Sequence, residues 1–126
     1  MWVDVEALAT AYLINDLPQR LPEGDAATIS KQVPDPLPEM LVRLILSGGQ
    51  RRTIVHRDSL LTLECWSTRG DAAAAHLAEI VYSSLDDWEL VPAFDGWTAG
   101  PYSDPDPDTG VSRYVMTCIV RHRIED

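Results

Sequence analysis

The chain has 126 residues, of which 45% are hydrophobic, so it can form one compact domain with a modest core and has no room for a second. Its net charge of −10 excludes a protein whose general surface binds nucleic acid, because phosphate binding depends on Lys and Arg. No apolar run approaches the roughly 20 residues that cross a bilayer, and the N-terminus lacks a basic region followed by an apolar one. We therefore expect a soluble, unexported single domain over residues 1–126.

The first predicted element is an amphipathic helix that begins near Val3. Val5, Leu8, Ala9 and Tyr12 fall on one helical face, and acidic residues occupy the first turn. We expect this helix to end at about residue 16, because the residue before a proline is disfavoured in helical geometry and proline occupies position 18.

A proline-rich segment follows the helix and covers residues 17–38. Its five prolines predict an extended or irregular arm, with Thr28 to Val33 as a short edge strand. An arm that contacts a neighbouring subunit would have this composition, but an ordinary surface loop has it too and is the default interpretation.

Apolar and polar residues alternate from Met40 to Leu46, which predicts a strand with one apolar face and one mixed face. The glycines at 48 and 49 predict a turn over residues 48–50. A shorter strand is expected from Arg52 to His56, and the polar run 56–59 is expected to break it before the next strand. Three successive strands favour an antiparallel meander.

The clearest local signal is a strand that leads into a helix between Leu60 and Trp88. Leu61, Leu63 and Cys65 alternate with more polar residues, so the strand has one apolar face and stops near residue 67. Thr68 and Asp71 have the spacing of a helix-capping box. The helix that follows has the 3.6-residue period of a half-buried helix. Its expected apolar stripe is Ala73, Leu77, Ile80, Val81, Ser84 and Trp88, and its expected polar face is His76, Glu79, Ser83, Asp86 and Asp87.

The C-terminal third predicts a final hairpin. One strand is expected around Trp97 to Tyr102, and a long strand from Val111 to Ile124 has its even positions 114–120 toward the core. The connection between them, Asp104 to Gly110, alternates Asp with Pro. It lacks the glycine and the twelfth-position carboxylate of an EF-hand, so we interpret it as a solvated hairpin tip and not as a calcium site.

No motif for catalysis or metal binding is evident. The sequence lacks a Gly-x-Ser-x-Gly elbow, a phosphate-binding glycine loop with its lysine and a His-Glu-x-x-His pattern. The two cysteines, Cys65 and Cys118, lie in strand patterns and are expected to be buried thiols and not zinc ligands or a disulfide framework. We expect no enzyme activity and no cofactor.

Several runs of the chain occur in an order that is shared with a known family. They are the leading helix, the proline-rich segment, the Met40–Leu46 strand, the Arg51-Arg52 turn, the Leu61–Ser67 strand, the helix with Leu77, Ile80 and Val81, the Gly100–Tyr102 segment, the acidic loop and the Arg113–Met116 strand. This pattern resembles the tail terminator proteins of long-tailed bacteriophages, especially those of actinobacterial hosts, which are related to the lambda tail terminator family. The resemblance extends from the first helix to Arg123.

The resemblance implies an α+β fold with a mostly antiparallel sheet of about four to five strands and two helices packed on it, in the order α-β-β-β-α-β-β. It also implies a structural virion protein of the tail-neck region, assembled in the host cytoplasm, that forms a homo-oligomeric ring of six subunits. The ring would cap the tail tube protein, stop its polymerisation and present its other side to a head-completion or connector protein. DNA would pass through it without specific binding, and no membrane is involved.

The subunit or partner interface is expected on the non-core strand face and near the arginine turn. The candidate residues are Arg51, Arg52, Glu64, Trp66, Arg113, Val115 and Ile119. Nine of the ten basic residues are arginine, which suits planar contacts at interfaces, although a coding bias toward arginine explains the same count.

Two alternatives to a tail terminator remain open. In the first alternative, the protein is another neck component, such as a head-closure or tail-completion protein. In the second, it is a small-molecule binding or enzymatic domain with a pocket between helix and sheet lined by Trp66, Trp97 and Tyr102. Core packing is the more common role of such aromatic residues.

Overall fold

A computed structural model describes residues 5–51, 56–88 and 93–123 of the protein. Two helices and five strands follow one another in the order α1 (Val5–Arg20), β1 (Thr28–Ser30), β2 (Met40–Arg51), β3 (His56–Ser67), α2 (Asp71–Asp86), β4 (Ala93–Ser103) and β5 (Ser112–Arg123). The predicted α+β class and the predicted order of elements are confirmed.

All five strands form one sheet in the spatial order β1-β2-β3-β5-β4. The pairs β2–β3, β3–β5 and β4–β5 are antiparallel, whereas β1 runs parallel to β2, so the sheet is mixed. The central strand β3 has a full-length neighbour on each side. The two outer strands are poor templates for pairing, since β1 has only three residues and the pairing of β4 with β5 shifts register three times.

Both helices pack on the same face of the sheet and form the hydrophobic core with it. The core residues of the helices are Val5, Ala9, Leu13, Leu17, Leu77, Ala78, Val81, Leu85 and, just after α2, Trp88, and those of the strands are Met40, Val42, Leu44, Leu61, Leu63, Cys65, Met116, Cys118 and Val120. The predicted apolar faces of β3 and β5 are therefore confirmed. Within the described residues, neither helix has the length and apolar character needed to cross a bilayer.

Helix α1 differs from its prediction in its end and in one buried position. It continues to Arg20 and contains Pro18 in its last turns, because Leu17 on one side of the proline is buried and the Leu21 amide still bonds to the Leu17 carbonyl at 3.0 Å. The buried stripe is Val5, Ala9, Leu13 and Leu17, at exact four-residue spacing. Leu8, which was predicted to share this stripe, is 43% exposed.

The hairpin of β2 and β3 is longer than the sequence pattern indicated. Residues 48–50 do not form a turn but continue β2, and the glycines accommodate a bulge between Leu46 and Gly48. Residues 56–59 likewise belong to β3 and do not interrupt it. Of the predicted Arg52–His56 strand, residues 52–55 lie outside the described part of the chain.

Helix α2 starts without the predicted capping box. Gly70 is the N-cap residue with φ +124°, and no side chain caps the helix, because this glycine conformation reverses the chain directly after β3. The predicted polar face of His76, Glu79, Ser83, Asp86 and Asp87 is exposed as expected. The buried face is rotated slightly toward Ala74, Ala78 and Leu85, and Ala73 and Ile80 are only partly buried.

The proline-rich segment folds against its own chain over part of its length. Its first residues complete α1, and Ile29 in β1 packs against the core, so β1 is the short edge strand expected at Thr28 to Val33. Asp25 forms an ion pair with Arg69 at 3.0 Å. The arm thereby connects the helix layer to the turn that precedes α2.

We predict that Gly100→Ala destabilises the fold by about 2 kcal/mol, because two costs coincide at this position. Gly100 has φ +81°, and a Cβ there would meet the Val115 carbonyl oxygen and lie 2.8 Å from Met116 Cα. The matched control is Gly110→Ala, where φ is +75° and no atom lies within 4 Å, so only the conformational cost of about 1 kcal/mol applies. Urea unfolding measures both variants, and equal losses would contradict the packing argument.

Candidate interaction face of the sheet

One face of the sheet carries no described helix, and we call it the helix-free face. Cross-strand partners share a face, so the register places its residues in rows across β2, β3 and β5. Successive rows are Leu41–Trp66–Arg113, Arg43–Glu64–Val115 and Ile45–Thr62–Thr117, followed by the pair Leu60–Ile119. Apolar and charged residues are thus mixed on this face.

The half of the helix-free face that lies toward the start of β2 and β5 is closed to solvent. Leu41 is 0%, Trp66 4% and Val115 6% exposed, although none of the three belongs to the core between sheet and helices. The protein therefore buries a second, smaller apolar cluster on the side opposite to its helices. The same rows also contain three charged residues, Arg43, Glu64 and Arg113.

Glu64 is the centre of a network of charged hydrogen bonds. One of its carboxylate oxygens accepts bonds from Arg43 Nη1 and from the Trp66 indole N–H, both at 3.2 Å, and the other lies 3.8 Å from Arg113 Nη1. The Arg113 guanidinium also stacks over the Trp66 ring, with Cζ 5.1 Å from the centroid. Glu64, a residue that is 9% exposed, therefore accepts two hydrogen bonds and forms a longer ion pair with Arg113.

Arg113 extends the network to the acidic loop between β4 and β5. Its Nε donates to the Asp104 carbonyl oxygen at 2.8 Å, and its Nη2 donates to the Asp104 carboxylate at 3.1 Å. Asp106 lies 3.9 Å from the same guanidinium. The loop is also closed within itself, because the Thr109 hydroxyl donates to Asp106 at 2.6 Å, and this bond is the main cause that lowers the pKa of the Asp106 carboxyl. The hairpin tip is therefore held by bonds to Arg113 and by bonds within the loop.

Arg43 connects the network to the proline-rich segment on the other side. Its Nε donates to the Lys31 carbonyl oxygen at 3.2 Å, while its Nη1 bonds to Glu64. Sequence reasoning did not select Arg43 as a site residue. The alternation of β2 could have identified it, because it places Arg43 on the same face as Leu41 and on the face opposite to the core residues Val42 and Leu44.

The other half of the helix-free face is open. Ile45, Leu60, Thr62, Thr117 and Ile119 are each only partly buried. The hydroxyl oxygens of Thr62 and Thr117 lie 3.2 Å apart. This half presents aliphatic carbon and hydroxyl groups without a described charged side chain between them, which is the composition of a surface that packs on protein.

The structure brings together five of the seven predicted interface residues. Glu64, Trp66, Arg113, Val115 and Ile119 lie on the helix-free face of β3 and β5. The first four are engaged inside the chain, so Ile119 is the one that belongs to the open half. Arg51 is the last residue of β2, at the far end of the sheet, and Arg52 lies outside the described residues.

The structure does not bring together the three aromatic residues of the small-molecule alternative, Trp66, Trp97 and Tyr102. Trp97 lies on the helix side, where its ring stacks on Tyr82 at 4.4 Å and its indole N–H donates to Asp86 at 3.0 Å. Trp66 lies on the opposite face, and Tyr102 is 49% exposed. The sheet separates the two tryptophans, so they cannot line one cavity. A cavity of about 130 Å³ beside Leu17 and Ile29 is lined mainly by aliphatic side chains.

The thiols and histidines present no reactive arrangement in the described part of the chain. Cys65 and Cys118 are buried free thiols, as predicted, and burial raises the pKa of both, to about 12 for Cys118. His76 is exposed on α2. Among residues 5–51, 56–88 and 93–123, no group of three His, Cys, Asp or Glu side chains is placed to hold a metal ion.

No family model matches this chain, and neither does any curated protein.

Proposed function

We propose that this protein is a structural subunit of a bacteriophage tail, a tail terminator that assembles into a ring of six copies on the end of the tail tube. The ring ends polymerisation of the tube and provides the surface that a head-completion protein binds. The subunit acts without a cofactor and without catalysis, as a virion component of the tail-neck region.

The observation that carries this proposal is the division of the helix-free face into a closed half and an open half. The closed half is fixed by the Glu64 network, so the sheet keeps its shape without a helix on this side. The open half leaves Ile45, Leu60 and Ile119 partly exposed in adjacent rows. A sheet with an apolar patch of this kind is stabilised by contact with another protein surface, and a ring supplies that contact for every subunit.

The charge of the chain supports the proposed passage of DNA. With a net charge of −10, a ring of several copies is strongly acidic, and an acidic lumen repels phosphates and does not retain them. DNA then slides through the ring without a specific contact. The tube and the head-completion protein are bound by the two sides of the ring.

The proposal is tested by measuring the mass of the assembled protein. Size-exclusion chromatography with light scattering over a concentration series, with and without purified tail tubes, is expected to show six copies per ring, and electron microscopy is expected to show capped tube ends. The variant Ile119→Glu is expected to prevent assembly because it places a charge in the open half.

Two outcomes count against the proposal. A monomer at every concentration, also in the presence of tubes, rejects the ring. Binding to portal-bearing heads without any capping of tubes assigns the protein to another neck component, such as a head-closure protein. The exposed variant Glu79→Gln on α2 is the control, since it lies on the polar face of the helix and is expected to assemble normally.

A further inference from the structure

Helix α1 exposes a surface without charged residues, although 24% of the residues of this chain are charged. Its exposed residues between Ala7 and Gln19 are four aliphatic side chains, one proline and two side-chain amides. The three charged residues of the helix are only partly exposed, and two of them, Asp16 and Arg20, are bonded to each other and to residues of or next to α2. A surface helix normally exposes charged and polar residues on its outer face.

The outer face of α1 forms a wall of a groove on the β1 side of the subunit. The groove has a volume of about 410 Å³, and we call it the α1 groove. Its lining residues are Glu6, Ala7, Thr10, Ala11, Ile14 and Lys31. The two charged residues in this set have opposite signs, so the groove has no net charge. Ile14 is 56% exposed, the largest value among the large hydrophobic residues that the structure describes.

The open half of the helix-free face continues onto β4 and is also uncharged. Ala99 of β4 lies opposite Thr117, and Tyr102 lies opposite Val115. Cross-strand partners share a face, so Ala99 and Tyr102 extend the surface that contains Ile119. Both are exposed. The open half therefore crosses four strands, and a charged partner surface would lose its hydration there without gaining an opposite charge.

A ring of identical copies requires two different surfaces on each subunit that match each other. The open half is one such surface. Of the two helices, only α1 offers an uncharged match, since the outer face of α2 exposes Glu79, Asp86 and Asp87. Helix α1 packs on the core side of the sheet, against β1, β2 and α2, so the sheet lies between the α1 groove and the open half. One copy can therefore use both surfaces at the same time.

The two surfaces are also similar in extent. The outer face of α1 from Ala7 to Pro18 is about 16 Å long, from the helical rise of roughly 1.5 Å per residue. The open half is about 14 Å wide, because its four strands are separated by roughly 4.8 Å. Helix α1 already packs its buried stripe on its own sheet. A second contact of helix on sheet repeats a kind of packing that this chain forms internally.

We infer that the α1 groove of one copy binds the open half of the helix-free face of the next copy. This inference rests on the proposed ring and names the two surfaces that form its contact. The neighbouring α1 gives the open half the helix layer that its own chain lacks on this side, so the sheet is covered on both faces. The contact removes Ile14 and Ile119 from water, which favours association.

Disulfide cross-linking of the full chain tests which surfaces meet. One variant carries Ile14→Cys and a second carries Ile119→Cys. Mixed in equal amounts under mild oxidation, in solution and on purified tail tubes, they are expected to form a disulfide dimer with one chain of each kind. Each variant alone is expected to form at least tenfold less dimer, because like surfaces do not meet. The native Cys65 and Cys118 are buried and do not compete.

A second pair and a control accompany this measurement. Ala11→Cys with Thr117→Cys samples the same two surfaces at other positions and is expected to give the same mixed dimer. Glu79→Cys places a thiol on the exposed face of α2 and is expected to give no mixed dimer with Ile119→Cys.

Blocked chains provide a further readout of the same contact. Ile14→Glu and Ile119→Glu are each expected to raise the concentration for half-assembly about tenfold or more, because each places a charge in an apolar contact. An equimolar mixture of the two is expected to stop at pairs with one chain of each kind, since only one intact contact remains between them. Analytical ultracentrifugation, with cross-linking on tail tubes, measures both results.

The outcomes separate this contact from the ring itself. Absence of the mixed dimer from both cysteine pairs while the wild type forms rings overturns the contact and leaves the ring standing. Dimers of Ile14→Cys alone also overturn it, because they indicate a symmetric contact between two α1 helices. Rings of Ile14→Glu that form normally but no longer cap tubes assign the α1 groove to the tube protein instead. A wild-type monomer in solution and with tubes overturns the ring as well.

Discussion

Leu63→Ala is expected to lower the free energy of unfolding by about 3–4 kcal/mol, a large part of the total stability of a domain of this size. Leu63 is 0% exposed and lies in the middle of β3, opposite Leu44 on one side and Met116 on the other. Both neighbours belong to strands whose backbone hydrogen bonds hold them in place, so they cannot move into the space that the missing isopropyl group leaves. The cost therefore includes the cavity as well as the lost burial.

Urea denaturation gives the free energy, and the midpoint of thermal unfolding should fall by roughly 10–15 °C. Leu8→Ala is the matched control, because it removes the same atoms from a leucine that is 43% exposed on α1. Alanine also has the higher helix propensity, so this variant should remain within about 0.5 kcal/mol of the wild type. A loss for Leu63→Ala no larger than that of Leu8→Ala would contradict the assigned core.

The same pair of leucines shows what the sequence could and could not predict. Leu63 belongs to a strand with one fully apolar face and one mixed face, and only one orientation of that strand buries Leu61, Leu63 and Cys65 together. The 3.6-residue period of α1 determines its buried face less strictly. Leu8 lies next to Val5 and Ala9 on a helical wheel, and which side of the stripe faces the sheet depends on the position of α2.

The structure differs from the local prediction at Gly48, Gly49 and Pro18. The pair Gly48-Gly49 is compatible with a turn and with a bulge inside a strand. In the structure these glycines pair with Leu60 and Ser59 of β3, so the strand continues and contains a bulge. Pro18 should end a helix by its local effect, but burial of Leu17 outweighs that effect for the last residues of α1. In both cases a contact that is distant in sequence outweighs the local preference.

The charged network was beyond sequence reasoning for a topological reason. Glu64 and Trp66 were selected as residues of the second strand face, but their partner Arg113 is brought to them only because β5 pairs with β3 and leaves β4 outside. That order is not encoded in any local pattern. The alternation of side chains along each strand determines which face of the sheet each residue occupies. The order of the strands then determines which of these residues come into contact.

Glu64→Gln is expected to lower the free energy of unfolding by about 2–3 kcal/mol, although it changes no volume. The amide oxygen can still accept the Trp66 indole N–H, but Arg43 loses the carboxylate that it bonds at 3.2 Å. Arg113 keeps Asp104 at 3.1 Å and loses a second countercharge at 3.8 Å. The side chain of Arg113 is 12% exposed, whereas that of Arg43 is 30% exposed and is partly hydrated. Burial increases the cost at Arg113, and the shorter bond increases the cost at Arg43, so both arginines contribute to the loss.

A double-mutant cycle separates these contributions, because Arg113→Met removes the guanidinium and keeps a similar apolar stem. The coupling energies of Glu64→Gln with Arg113→Met and with Arg43→Met should both exceed the coupling of either arginine variant with the exposed control Glu79→Gln. If Glu64→Gln costs no more than Glu79→Gln, the network does not hold the closed half of the helix-free face. In that case the rigid sheet that the proposed ring requires must be stabilised by the apolar residues Leu41, Trp66 and Val115 alone.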